Sequence, residues 1–155
     1  MWLEIGFFTA SLGLRGSYLL RALDIIQRLH DLWNSGAVDD IPLVYSSSFV
    51  AHMPKGWSQS TFEGHAGARA MLLRIRTAFP DWREEILDTI ETADTVVTRY
   101  CSSGINTGPL DGAPPTGRKI VVDEISIYRI ADALVQEQWC LVDDLTFARQ
   151  LGRLG

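Results

Sequence analysis

Leu19, Leu20, Leu23, Ile26 and Leu29 recur at three- and four-residue intervals, and Leu32 and Trp33 continue the series. That spacing lays an apolar stripe along one helical face. It predicts a helix over residues 17–34, closed by Ser35-Gly36. A short helical piece is expected over 39–45. Phe49-Val50-Ala51-His52 reads as a short strand, broken by Pro54-Lys55-Gly56. Residues 54–63 read as a loop with Trp57 at its tip. A second stripe of Ala68, Met71, Leu72 and Ile75 predicts a helix over Gly64 to Ala78, ended at Phe79-Pro80-Asp81. Beyond this point the period shortens to two. Residues 82–91, 95–103, 119–130 and 134–142 are rich in β-branched and aromatic side chains and read as strands. Asp94 and Asp132-Ala133 mark tight turns, and a Gly/Pro-rich loop occupies residues 104–118.

Helices followed by a run of antiparallel strands define an α+β pattern. The strands are long enough to curl into a cone-shaped half-barrel, a curved antiparallel sheet covered by the N-terminal helices. Such a cone encloses a pocket, the usual setting for a ligand. The pattern places one domain over residues 17–155. Residues 1–16 form an extension that packs on the domain, joins an oligomer contact or frays.

Composition narrows the class. Of 155 residues, 46% are hydrophobic and 21% charged, the balance of a globular chain and not of a disordered one. The net charge is −5 with no basic stripe, which argues against nucleic acid and anionic membrane surfaces as partners. No apolar run reaches the roughly 18 residues that span a bilayer. Met1 to Phe8 carries Glu4 and no basic start, unlike a signal peptide. Cys101 and Cys140 form no CxxC and read as two buried free thiols of a reducing cytosol, so a cytoplasmic location is expected.

Candidate chemistry centres on a carboxylate. Along Leu134 to Val142, alternation puts Glu137, Trp139, Leu141 and Asp143 on one face, barring a bulge. A carboxylate beside Trp and Leu is desolvated, which raises its pKa toward a useful acid or base. Asp143 and Asp144 also precede a helical turn over residues 145–150, where either would serve as a cap, Asp144 being the better placed. His52 faces a loop and is suited to proton shuttling, or hydrogen-bonds neighbouring backbone. His30 and His65 read as surface or helix-end residues. No HExxH, GxSxG, GxGxxG or GxxxxGK[ST] occurs, so neither a metal, a nucleophile triad nor a nucleotide cofactor is expected. Trp33, Phe49, Trp57, Phe62, Phe79, Tyr100, Tyr128 and Trp139, with Met53 and Met71, divide between the core and the lining of a hydrophobic small-molecule site. An exposed patch for a partner is the competing reading for Met53, Trp57 and Phe62.

Ala78-Phe79-Pro80-Asp81, Asp94-Thr95-Val96-Val97-Thr98-Arg99, Gly104-Ile105-Asn106-Thr107-Gly108, Pro114-Pro115-Thr116-Gly117-Arg118 and the stretch from Glu137-Gln138-Trp139 to Gln150-Leu151-Gly152 resemble the SnoaL-like polyketide (ester) cyclases. These belong to the nuclear-transport-factor-2-like, ketosteroid-isomerase-like superfamily. The resemblance runs over about residues 20–152. It implies a curved antiparallel sheet, a deep apolar pocket, no cofactor and a homodimer. It also implies an acid/base Asp on the last strand for an intramolecular aldol closure, matched by Asp143, and a His matched by His52. Asn106 stands where the family often has His, and Cys140 where it often has Asp. On this reading Asp143 is the base, while His52, Asn106, Tyr100 or Trp139 donates to the developing enolate oxygen. A non-catalytic binding or interaction module, or an epoxide hydrolase or dehydratase, would share the same frame.

Overall fold

A computed structural model describes residues 21–154. Residues 1–16, and the expected beginning of the first helix, lie outside the described part. Helix α1 (Ala22–Ser35) opens where the Asp24 carboxylate accepts the Arg21 N–H at 3.2 Å. Of the predicted stripe it buries Ile26, Leu29, Leu32 and Trp33, with Ile25 added and Leu23 half-buried; Leu19 and Leu20 lie outside the described residues. Gly36 ends it at φ 72°, a left-handed conformation glycine adopts without penalty, and its N–H returns to Leu32 O. A 3₁₀ segment (Val38–Leu43) leads into β1 (Tyr45–His52). A three-residue strand, β2 (Thr61–Glu63), follows the Trp57 loop, so the loop expected over residues 54–63 ends earlier. Helix α2 (Gly64–Ala78) has the predicted bounds and buries Ala68, Met71, Leu72 and Ile75.

Strands β3 (Arg83–Glu91), β4 (Thr95–Ile105), β5 (Lys119–Ala131) and β6 (Leu134–Val142) form an antiparallel meander. Strand β1 returns beside β6 in parallel and carries β2 at its outer edge. The six-stranded sheet, ordered β2-β1-β6-β5-β4-β3, is mostly antiparallel and is not closed. Helices α1 and α2 cover its concave side, and α3 (Asp144–Leu151) closes one end. The architecture is α+β, as the pattern predicted.

Register decides which side chains reach the interior. Strand β5 alternates without a fault, so Ile120, Val122, Glu124, Ser126 and Tyr128 point inward. Across from it, pairing slips: Arg129 faces Glu137 while Ile130 faces Val135. This bulge at Gln136 inverts the phase of β6. Val135 is buried, but beyond the bulge the inward residues are Gln138, Cys140 and Val142. Glu137, Trp139 and Leu141 do share a face, and it is the outer one.

Candidate active site

The concave side encloses a cavity of about 390 Å³. Apolar walls come from α1 (Leu29, Trp33), from α2 (Met71, Ile75) and from Met53, Phe62 and Phe147. The floor is sheet, and the inward residues of four strands make it polar: Glu84 of β3, Tyr100 of β4, Glu124 of β5, and Gln138 with Cys140 of β6. A cluster of hydrogen-bonding groups under an apolar vault gives orientation to an otherwise apolar ligand.

Glu124 stands at the centre of this floor, 7% exposed. Tyr100 donates its hydroxyl to Glu124 Oε2 at 3.1 Å, and the Cys140 thiol donates to the same oxygen at 3.5 Å. Tyr100 also lies 3.1 Å from Ser126 Oγ. Burial, and then the charge of Glu84, push the Glu124 carboxyl up to about 7. Near neutrality it both gives and takes a proton, as general acid/base work requires. Burial also drives the Tyr100, Tyr128 and Cys140 groups well above their ordinary values, so they stand as neutral donors. Gln138 Oε1 and the Tyr128 hydroxyl are buried with no protein partner.

Beside this group lies a second one. Both oxygens of Glu84 are engaged: Trp82 Nε1 donates to Oε1 at 3.1 Å, and His30 Nδ1 lies 2.6 Å from Oε2. The His30 ring packs edge-on against Tyr100 at 4.9 Å between centroids. Asn34 brackets the Glu84 backbone, accepting its N–H at 2.7 Å and donating to its carbonyl at 3.1 Å.

At the mouth, Trp57 Nε1 donates to Asp144 Oδ1 at 2.9 Å. The Arg74 guanidinium lies 4.3 Å over the Trp57 ring. Its Nε and Nη2 grip the Asp111 carboxylate at 2.7 and 2.6 Å. Arg74 holds the Asp111 carboxyl below its usual range. Four segments, including the Trp57 loop and the start of α3, thereby meet over the opening.

Of the residues picked out by sequence, Trp33, Met53, Trp57, Phe62, Met71, Tyr100 and Tyr128 line the cavity. The others stand elsewhere. Asp143 is exposed at the N-cap of α3, where its Oδ1 accepts the Thr146 N–H at 3.0 Å. Its bonds to Thr146, with Arg149 nearby, hold its carboxyl below the usual range, opposite to the direction expected of it. The bulge in β6 is the reason: it delivers Asp144, not Asp143, to the pocket, so the expected cap and the expected pocket residue exchange places. His52 stacks on Trp139 on the outer face at 5.1 Å, with Nε2 2.8 Å from Glu137 Oε1. Asn106 is fully buried, but as a loop brace. It donates to the carbonyls of Ala78 (3.2 Å) and Gly108 (2.9 Å) and accepts from Thr116 N (2.9 Å) and Thr116 Oγ1 (3.1 Å). Phe49 packs on Tyr45, and Phe79 between Trp82 and Phe147, all in the core. His30 is 1% exposed and not a surface residue. Cys101 is half-buried, Cys140 is buried and both are free thiols.

Among the described residues no group of three or more His, Cys, Asp or Glu side chains is placed to hold a metal ion. No described helix is long and apolar enough to cross a membrane.

Fold and site together define a cone-shaped α+β protein with acidic groups on the floor of an apolar pocket. The profile of the SnoaL-like polyketide cyclases matches residues 23–151, and the chain belongs to that family. It is 27% identical over 138 residues to the aklanonic acid methyl ester cyclase DnrD of Streptomyces peucetius, a match covering 84% of this chain and 90% of the relative. Among solved structures it is similar to IdmH of Streptomyces antibioticus, with a TM-score of 0.73 and 26% identity over 84% of this chain and 97% of that one. TsrD of Streptomyces laurentii gives a TM-score of 0.73 and 26% identity over 85% and 95% of the two chains.

Proposed function

We propose that this protein closes a ring in a hydrophobic, polyketide-like molecule by cofactor-independent acid/base catalysis, with Glu124 moving the proton. The carrying observation is the Glu124 carboxyl, buried at the cavity floor beneath Tyr100 and Cys140 and pushed up to about 7. An intramolecular aldol closure needs a proton moved at a carbon beside a carbonyl and donors at the developing oxyanion. Tyr100 donates its one hydroxyl proton to Glu124 and so orients that carboxyl, while the neutral, unpartnered Tyr128 hydroxyl is free to donate to the oxyanion. The unpartnered Gln138 Oε1 supplies a further anchor for hydroxyl groups of the substrate. Apolar walls hold a flexible chain folded, which removes much of the entropic part of the barrier.

The same reading includes a cytoplasmic homodimer. Free thiols suit a reducing compartment. The outer face of the sheet carries Val121, Ile125 and Leu141 at 45, 46 and 70% exposure, and a second copy would cover them.

The test is turnover of aklanonic acid methyl ester, the compound in the name of the DnrD relative. The wild type should convert it to an isomer of equal mass. Glu124→Gln should lower kcat by at least about a hundredfold without loss of fold, and Asp143→Asn should stay near wild type. Full activity in Glu124→Gln, with loss in Asp143→Asn, would return the role to Asp143. Tight binding without turnover would make the protein a ligand-binding module.

A further inference from the structure

Two carboxyls share the cavity floor, and their surroundings differ. Glu84 and Glu124 lie on β3 and β5, separated by β4. Glu84 is opposite Ser102, and Glu124 is opposite Tyr100. With adjacent strands about 4.8 Å apart and a two-residue offset of about 7 Å along them, their backbones stand about 12 Å apart across the floor. Both line the same cavity, so one ligand can meet both carboxyls.

Hydrogen-bond donors distinguish the pair. Glu84 has an N–H donor on one oxygen, from Trp82, and the His30 ring nitrogen on the other. His30 Nε2 is buried without a partner. A buried bare lone pair is tolerated better than a buried orphan N–H, so the pattern puts the His30 proton on Nδ1, pointing at Glu84. Two N–H donors on two oxygens is the surrounding of an ionised carboxylate. At Glu124 the hydrogen bonds from Tyr100 and Cys140 converge on Oε2; the Ser102 hydroxyl beside the carboxyl opposes its protonation but makes no hydrogen bond to it, so Oε1 is the oxygen able to carry a proton toward a ligand. The charge of Glu84 further favours the protonated form of Glu124. A carboxyl with donors on both oxygens beside one with a bare oxygen supplies a proton acceptor and a proton donor to the same pocket.

We infer that Glu84 is a second catalytic carboxyl, the base of the ring closure, with Glu124 as its acid and with His30 and Trp82 as positioning residues for Glu84. The assignment rests on the reading of the cavity as an acid/base cyclase site. Glu84 takes the proton from the carbon beside a carbonyl as the C–H bond breaks. The enolate carbon forms the new C–C bond to a second carbonyl carbon. As that C=O π bond opens, its oxygen takes the Glu124 proton. Substrate and product are isomers, and one proton passing from Glu84 back to Glu124 restores the starting state.

Carboxyl ¹³C NMR of the glutamate-labelled protein tests the pair without a substrate. At pH 6 the expected spectrum has a protonated glutamate signal lost in Glu124→Gln and a carboxylate signal lost in Glu84→Gln. The reverse assignment overturns the proposal. Aklanonic acid methyl ester in D₂O then separates the two steps. Glu124→Gln should keep exchange of the acidic C–H while losing closure, whereas Glu84→Gln should lose both by at least about a hundredfold. His30→Gln should lower exchange while leaving KM within about twofold, a split that a purely structural role would not produce. Glu84→Gln with wild-type exchange beside an inactive Glu124→Gln would refute the base assignment alone. A fully active Glu124→Gln would refute the reading of the pocket itself.

Discussion

Glu124 is held in a place that favours its neutral form, and this has a cost in stability that depends on pH. Its carboxyl is raised from 4.5 to about 7 on folding. Between those values the folded chain binds more proton than the unfolded one, so stability falls as pH rises. The favourable contribution is fully present below about 4.5 and is lost through about 7. The span of roughly 2.5 pH units corresponds to about 3 kcal/mol. Glu124→Gln keeps an oxygen for the Tyr100 and Cys140 donors but cannot ionise. Chemical unfolding should therefore find Glu124→Gln more stable than wild type at pH 8, by up to about 3 kcal/mol, and little different at pH 5. Activity should move the opposite way, a trade common at catalytic sites.

At the scale of elements, the start of α3 sets two adjacent aspartates to different tasks. Asp143 caps the helix through Thr146, and Asp144 holds the Trp57 loop over the cavity. Asp143→Ala should lower the melting temperature with turnover retained. Asp144→Ala should leave the melting temperature nearly unchanged but weaken ligand binding and raise KM, since the indole loses its anchor. Thermal unfolding and a fluorescence titration of Trp57 would separate the two. The loop after β4 depends on Asn106 in a similar way. Asn106→Ala removes four hydrogen bonds at once, leaving Gly108 O and Thr116 N without a partner, and should cost at least about 2 kcal/mol in chemical unfolding. Gly108 sits so close to Thr77 that a Cβ would lie 1.9 Å from its carbonyl oxygen. Helices α1 and α2 were legible because their apolar period is unbroken, and the long strands because β-branched and aromatic residues concentrate in them. The acid of the floor was not. Alternation identifies which residues share a face, but only an apolar anchor says which face is inside. In β6 the anchor, Val135, lies on the far side of a bulge that the sequence does not mark. In β5 both phases are apolar, Ile120, Val122 and Tyr128 against Val121, Ile125 and Ile127, so Glu124 carried no sign of burial.

That ambiguity in β5 reflects a mixing of polar and apolar residues on both faces of the sheet. The concave face carries Thr98, Tyr100, Ser102, Glu124, Ser126 and Gln138, all buried, while the convex face carries exposed isoleucines and leucines. Polar groups inside are the requirement of a site that moves protons; aliphatic groups outside need a partner to leave water. The proposed homodimer supplies that partner. On the convex face Ile125 pairs directly across from Leu141, so the two make one continuous apolar spot. Ile125→Glu would place a carboxylate there, and a self-complementary interface would bury it in both copies. Light scattering should give wild type at twice 17.3 kDa and Ile125→Glu as a monomer, with the dissociation constant raised by at least about a hundredfold. Since the groups that hold Glu124, namely Tyr100, Cys140 and Glu84, stand on strands of its own chain, the monomer should keep its protonated Glu124 signal at pH 6. A wild-type monomer would leave the convex face for a different partner. Loss of that signal on dissociation would mean that dimerisation, and not the cone alone, holds the floor in place.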